Sequence, residues 1–224
     1  MKAWISAARP RTLPLALSSI IAGSGMAAYA HAFRWPVFLL ATLTAILLQV
    51  LSNFANDLGD HENGADNAGR IGPARAVQSG DISPAAMKRA MIVCGLLAFL
   101  SGCTLIIVSL GITLTTLVFL LIGLGAIAAA VKYTYGRDPY GYAGLGDVSV
   151  FLFFGLAGVM GTYYLHTGGV PKYVVPIAIA FGLLSAGVLN LNNMRDITND
   201  AAEGKRTLVV RIGSAPARRY HITI

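Results

Sequence analysis

Two stretches of the chain gather oxygen-bearing side chains at the ends of apolar runs. The first, SNFANDLGDHENGAD (52–66), carries Asn53, Asn56, Asp57, Asp60, Glu62, Asn63 and Asp66. The second, LNLNNMRDITNDAAEGKRT (189–207), places Asn192, Asp196 and Asp200 at i, i+4 and i+8, with Asn193 beside them. On a continuous helix that spacing stacks the three on one face, and the pairs Asn56/Asp60 and Asn53/Asp57 repeat it in the first stretch. Carboxylate and amide oxygens without His or Cys suit a hard cation such as Mg²⁺. Two facing clusters of this kind could hold more than one ion. Solvated loop carboxylates or helix caps would account for either cluster alone. An Asn-x-x-x-Asp unit at the mouth of two separate apolar runs argues for chemistry instead, because polar groups at membrane depth are functional by default. The candidate metal ligands are Asn56, Asp57, Asp60, Asp66, Asn192, Asp196 and Asp200.

Cations alternate with these acids. Arg70 and Arg75 follow the first cluster among Gly and Pro residues, and Lys205, Arg206 and Arg211 follow the second. Arg grips phosphate oxygens in a bidentate fork and Lys acts as a compact point charge, so the combination suits a diphosphate–Mg²⁺ complex. A third polar link, KYTYGRDPYGYAGLGD, supplies Tyr133, Tyr135, Tyr140 and Tyr142. These tyrosines read either as an interfacial aromatic belt or as hydroxyl donors and ring faces for a substrate. Asp147, at the end of that link, could join the acids or cap the next helix.

The elements that must position these groups are membrane helices. Of the 224 residues, 55% are hydrophobic and 12% charged, against about 25% charged in soluble domains. Six apolar runs approach the roughly 20 residues needed to cross a bilayer: 13–29, 35–54, 86–110, 112–131, 148–165 and 173–194. The basic N-terminus before the first run has the look of a secretory leader, but Pro10-Arg11 leads straight into a span and five more follow. Of 17 Lys and Arg residues, all but Arg34 and Lys172 fall at the N-terminus or in the links after spans two, four and six. The positive-inside rule therefore predicts a cytoplasmic N-terminus. All ten acids lie on the same side, which puts the chemistry on the cytoplasmic face. The formal charge of +7 follows from topology, with no basic cluster that points to nucleic acid. Cys94 and Cys103 lie in one apolar run and read as small buried hydrophobes.

Together these residues resemble the UbiA superfamily of intramembrane aromatic prenyltransferases. The family's Asn-Asp-x-x-Asp element is similar to Asn56-Asp57-Leu58-Gly59-Asp60, and its Asp-x-x-x-Asp element to Asp196–Asp200. Many members carry a further Asp eight residues after the Asn; here that position is Gly64, and Asp66 is the nearest substitute. The Tyr-x-x-x-Lys element corresponds to Tyr133 and Arg137, with Arg in place of Lys. Five blocks in order, from Ala8 to about Tyr220, look most like members whose acceptor is 1,4-dihydroxy-2-naphthoate, in menaquinone biosynthesis. The resemblance implies an all-α, polytopic transmembrane helical bundle of the UbiA type with nine helices. The six spans here then read as a single transmembrane prenyltransferase domain, 1–224, lacking its C-terminal helices.

The resemblance further implies an Mg²⁺-dependent enzyme of the bacterial cytoplasmic membrane that takes polyprenyl diphosphate, the naphthoate and membrane lipid as partners. Catalytic roles fall on Asn56, Asp60, Asp66, Asp196, Asp200 and Tyr133. Diphosphate binding falls on Arg70, Arg75, Arg137, Lys205 and Arg206, and acceptor binding on Tyr140 and Asn193. Two other readings stay open: a member with another acceptor, such as 4-hydroxybenzoate or haem, and a cation-coupled transporter with intramembrane carboxylates.

Overall fold

Pro84 opens its helix at the first turn, where Ser83 caps it by accepting from the Ala86 N–H at 3.3 Å. Gly111 closes the same helix with φ 65°, and Thr113 and Thr116 form a capping box at the start of the next one. Such local signals define the helices of a computed structural model that describes residues 1–64 and 75–224. The helices are α1 (Lys2–Ala8), α2 (Leu13–Tyr29), α3 (Trp35–Glu62), α4 (Pro84–Leu110), α5 (Leu114–Lys132), α6 (Gly146–Thr167), α7 (Val174–Arg195), α8 (Ile197–Ala202), α9 (Leu208–Ile212) and α10 (Ser214–Thr223). Among the described residues the fold is all-helical. Six segments are long and apolar enough to span a membrane, α1 and α2 together making the first.

Packing divides the spans into two groups joined by α2. On one side α3 packs against α4 and α5; on the other α6 packs against α7, and α2 touches both α3 and α6. Lipid tails are as apolar as the helices, so association rests on close van der Waals fit, favoured by small residues. Gly155 of α6 shows this: a Cβ there would stand 2.6 Å from the Ala178 carbonyl oxygen and 2.7 Å from the Gly182 Cα. Residues Phe151–Gly161 of α6 are wound as a π-helix. In α5 only Thr116 is fully buried; Phe119, Ile127 and Val131 pack partly against the core, and Leu117, Val118, Leu121 and Leu124 are exposed.

On the face opposite the acids, Arg34 caps the end of α4 by donating to the Ser109 and Val108 carbonyls at 3.1 and 2.7 Å. Its backbone N–H donates to His166 Nδ1 at 3.1 Å, while His166 Nε2 lies 3.1 Å from Ser24 Oγ. This knot ties α2, α3, α4 and α6 together at one end and leaves the other end to the polar links.

Two features differ from the sequence expectation. The second span runs two turns past Phe54, so Asn56 and Asp60 lie on intact helix. The sixth span ends at Arg195; Asp196 leaves helical geometry with φ −96° and ψ 6°, and α8 restarts at Ile197. The continuous face expected for Asn192, Asp196 and Asp200 is therefore broken in the middle.

Candidate active site

Asp60 is the point on which the polar links converge. It is 2% exposed, in the last turns of α3. Its Oδ1 accepts from the Tyr142 hydroxyl at 2.5 Å and from Lys205 Nζ at 2.8 Å. Its Oδ2 pairs with the Arg75 guanidinium, which also donates to the Asn56 carbonyl. Lys205 Nζ is 3.8 Å from Asp200 Oδ1 and 4.8 Å from the centre of the Tyr142 ring. One ammonium thus bridges the first acid cluster to the second, over the face of an aromatic ring.

Backbone contacts hold this arrangement. Lys205 N–H donates to the Asp200 carbonyl at 2.8 Å, and Arg206 N–H donates to the Tyr142 carbonyl at 2.9 Å. Arg211 reaches back to the carbonyls of Arg206 and Ala143 at 3.0 and 2.7 Å. On the α3 side, Thr134 donates its hydroxyl to Asn56 Oδ1 at 2.6 Å. Gly59, between Asn56 and Asp60, permits that approach: a Cβ there would stand 2.6 Å from the Thr134 carbonyl carbon and 2.9 Å from the Tyr135 nitrogen.

Burial, followed by the charge of Asp60, pushes the Tyr142 phenol well above the usual tyrosine range. The hydroxyl therefore stays protonated and donates. Tyr133 is raised by burial first, then by Tyr140, Asp147, Asp60 and Asp200; carboxylates of both clusters thus act on one phenol. Its ring meets Tyr140 edge-on with centroids 5.4 Å apart. Tyr140 itself donates to the Ala129 carbonyl at 3.0 Å and lies 2.9 Å from Ser149 Oγ.

Among the described residues no three His, Cys, Asp or Glu side chains converge on one point. The donor set is the two carboxylates of Asp60 and Asp200, with Asn56 one turn before Asp60 on α3. Mg²⁺ usually takes only one or two carboxylates and completes its shell with water and substrate phosphate. An oxygen-only pair beside two phosphate-type cations fits that ion bound together with a diphosphate.

The profile described as the UbiA prenyltransferase family matches residues 16–224. The chain belongs to the UbiA prenyltransferase family. Relatives named 1,4-dihydroxy-2-naphthoate octaprenyltransferase are 50% identical in Haemophilus influenzae, over 99% of this chain and 72% of theirs, and 50% identical in Escherichia coli, over 98% and 71%. One with the same name in Mycobacterium tuberculosis is 42% identical over 97% of this chain and 72% of its own. Among solved structures, a UbiA homolog from Archaeoglobus fulgidus bound to DMAPP and Mg²⁺ matches with a TM-score of 0.75 at 18% identity, over 99% of this chain and 73% of that one. At that identity the likeness concerns the fold.

In this UbiA-family chain the expected site residues divide unevenly. Asn56, Asp60, Asp200, Arg75 and Lys205 are brought together. Asp57 serves another purpose, since its carboxylate is 1% exposed and accepts from the Ala76 and Val77 N–H groups, both at 3.2 Å. Asp57, expected among the metal ligands, here anchors the backbone next to Arg75. Asn53 is likewise structural, donating to the Ala8 carbonyl at 2.8 Å and to Thr12 Oγ1 at 3.0 Å. Asp196 is held by its own neighbour Arg195 in a two-pronged contact at 2.8 and 2.7 Å. Asn192 is exposed and Asn193 half-buried. Arg206 contributes its backbone, with its side chain exposed. Arg137 stands apart, exposed, 3.6 Å from Asp138. Asp66 and Arg70 lie outside the described residues.

Sequence reasoning left out Thr134 and gave Tyr142 no more weight than its neighbours. Nothing in local spacing separates Tyr142 from Tyr133, Tyr135 and Tyr140. A Gly between two motif acids is the one signal that could have pointed to a backbone, here that of Thr134, packed against the motif.

Proposed function

We propose that this chain transfers a polyprenyl group from polyprenyl diphosphate to 1,4-dihydroxy-2-naphthoate. The observation that carries the proposal is the bridge from Asp60 through Lys205 to Asp200, which joins the two acid motifs across a cation suited to phosphate. The choice of acceptor rests on the names of relatives at 42 to 50% identity. Asp60 and Asp200, with Asn56 and Asp196, would hold Mg²⁺, and Asp66 is a candidate for the same role. The ion supplies Lewis acidity toward phosphate oxygens.

The chain's own residues do the rest. Arg75 and Lys205, which share the Asp60 carboxylate, turn to the diphosphate and stabilise the charge that gathers as the allylic C–O bond breaks. Tyr142 keeps Asp60 in place as those cations shift. The apolar spans exclude water, which would otherwise trap the allylic cation. The ring carbon bearing the carboxylate attacks that cation, and CO₂ leaves as the ring regains aromaticity. The product is the naphthoquinol, the reduced form of demethylmenaquinone. Tyr133, Tyr140 and Asn193 are candidates for acceptor contact. The protein would lie in the bacterial cytoplasmic membrane with its acids and N-terminus on the cytoplasmic side, the chain forming one prenyltransferase domain.

Purified protein in lipid, supplied with polyprenyl diphosphate, Mg²⁺ and each aromatic acid in turn, tests this reading. Prenylation of the dihydroxynaphthoate with stoichiometric CO₂ and pyrophosphate is expected. Prenylation of 4-hydroxybenzoate alone would overturn the acceptor, and ion flux without pyrophosphate release would overturn the enzyme.

A further inference from the structure

The outer surface of α1, α3 and α4 holds a feature that prenyl transfer does not use. Trp4, Phe54, Ala90, Val93 and Leu97 wall an open apolar groove of about 480 Å³, and its charged lining residue is Arg89. Trp4 meets Phe54 edge-on with ring centroids 5.7 Å apart. The groove lies at the acid-bearing end of the bundle, since Phe54 is two residues before Asn56 on α3. That is the depth at which helices leave the hydrocarbon and Trp and Arg anchor to headgroups. Lys88, the neighbour of Arg89, is committed to Glu62 at 2.9 Å and lies over the Tyr135 ring. Arg89 has no ion pair among the described residues, and Lys2 and Arg11, in the N-terminal segment that carries Trp4, are exposed.

In a bilayer the apolar walls confer little preference, because lipid tails solvate them equally well everywhere. Discrimination must come from the rim. A guanidinium binds phosphate oxygens in a bidentate fork. A zwitterionic headgroup brings its own ammonium to compete for that phosphate, and an anionic headgroup does not. We propose that the groove between α1 and α4 holds one anionic phospholipid, its phosphate on Arg89 and one acyl chain against Trp4, Phe54 and Val93. The lipid then buttresses α3 two residues from its first motif residue.

Tryptophan quenching tests this directly, because the chain has two tryptophans and Trp35 starts α3 at the far end. In a Trp35→Phe protein reconstituted in mixed bilayers, dibrominated phosphatidylglycerol should quench Trp4 at a mole fraction about five-fold lower than dibrominated phosphatidylcholine, the preference of about one basic contact. Arg89→Gln should abolish that difference, and Ala90→Phe, which fills the groove, should reduce quenching by both lipids. A Trp4→Phe protein, reporting from Trp35, should show no preference and verifies folding of each variant in the same bilayers. Equal quenching by the two lipids overturns the proposal. So does a preference that survives Arg89→Gln, or one lost only with Lys2→Gln and Arg11→Gln, which assigns it to the diffuse basic surface. Undiminished quenching in Ala90→Phe places the lipid elsewhere and overturns it as well.

Discussion

Tyr142 donates its hydroxyl to Asp60 at 2.5 Å across 82 residues of sequence. The phenol is held protonated by burial and by the carboxylate it serves, so it acts as a fixed donor through the neutral and mildly alkaline range. Tyr142→Phe removes that bond and keeps the ring beneath Lys205. A hydrogen bond to a charged group contributes about 1.5–3 kcal/mol, so turnover at saturating acceptor should fall roughly 10- to 100-fold. Prenyl-transfer assays on protein of unchanged thermal stability would check it; wild-type turnover would remove Tyr142 from the site.

Asp60→Asn and Asp200→Asn should each lower prenyl transfer by about 10² to 10³, the range for losing one electrostatic partner of a transition state. Because Lys205 links the two acids, the double variant should lose little more than either single one. Each should also raise the Mg²⁺ concentration needed for half-maximal rate. Additive losses in a titration of rate against Mg²⁺ would mean that the two acids work separately.

Asp57→Asn separates anchoring from chemistry. The variant removes an acceptor for the Ala76 and Val77 N–H groups, so a lowered Tm is expected. Its half-maximal Mg²⁺ concentration should stay at the wild-type value, whereas Asp60→Asn moves it. A shifted Mg²⁺ requirement in Asp57→Asn would return this residue to the metal ligands.

Arg137→Ala should leave kcat and the KM for polyprenyl diphosphate within about two-fold, since an exposed pair such as Arg137–Asp138 contributes little. Lys205→Ala should raise that KM at least ten-fold, because it removes a cation from a buried carboxylate and from the diphosphate. Reversal of the two results would mean that Arg137 swings into the site when substrate binds.

Gly59→Val tests the backbone approach of Thr134. Any Cβ at this position enters the Thr134 peptide, and overpacking typically costs about 1–3 kcal/mol. Loss of both stability and activity is expected, and a stable, active valine variant would refute the close packing.

The spans were legible in the sequence because a 20-residue apolar run has few alternatives, and Asn56 and Asp60 because helical spacing stacks them. Asp200 was legible as an acid at the right end of the right span, but its route into the site was not. The i, i+4, i+8 pattern of Asn192, Asp196 and Asp200 reads as one helix, and only the backbone turn at Asp196 lowers Asp200 toward Lys205. Thr134 and Tyr142 were hidden for another reason. Their partners are 78 and 82 residues away, and no local spacing encodes such a contact. The backbone contacts of Asp57 were not legible, because a buried carboxylate that accepts from a backbone turn has the same side-chain chemistry as one that holds a cation.

The bridge at Asp60 also has a history within each molecule. Its partners emerge from the ribosome in sequence: Arg75 first, then Tyr142, and Lys205 only 145 residues after the carboxylate. At roughly 5–20 residues per second that interval is roughly 7–30 s, during which α3 is already available to the bilayer. A nascent chain must therefore carry Asp60 without its Lys205 partner, first with Arg75 and then with Arg75 and Tyr142, until α7 has been inserted and the turn after α8 has been made. Assembly of the Asp60 cluster thus waits for the sixth span and the turn after α8, and a translation pause before Lys205 would leave inserted helices with that cluster incomplete.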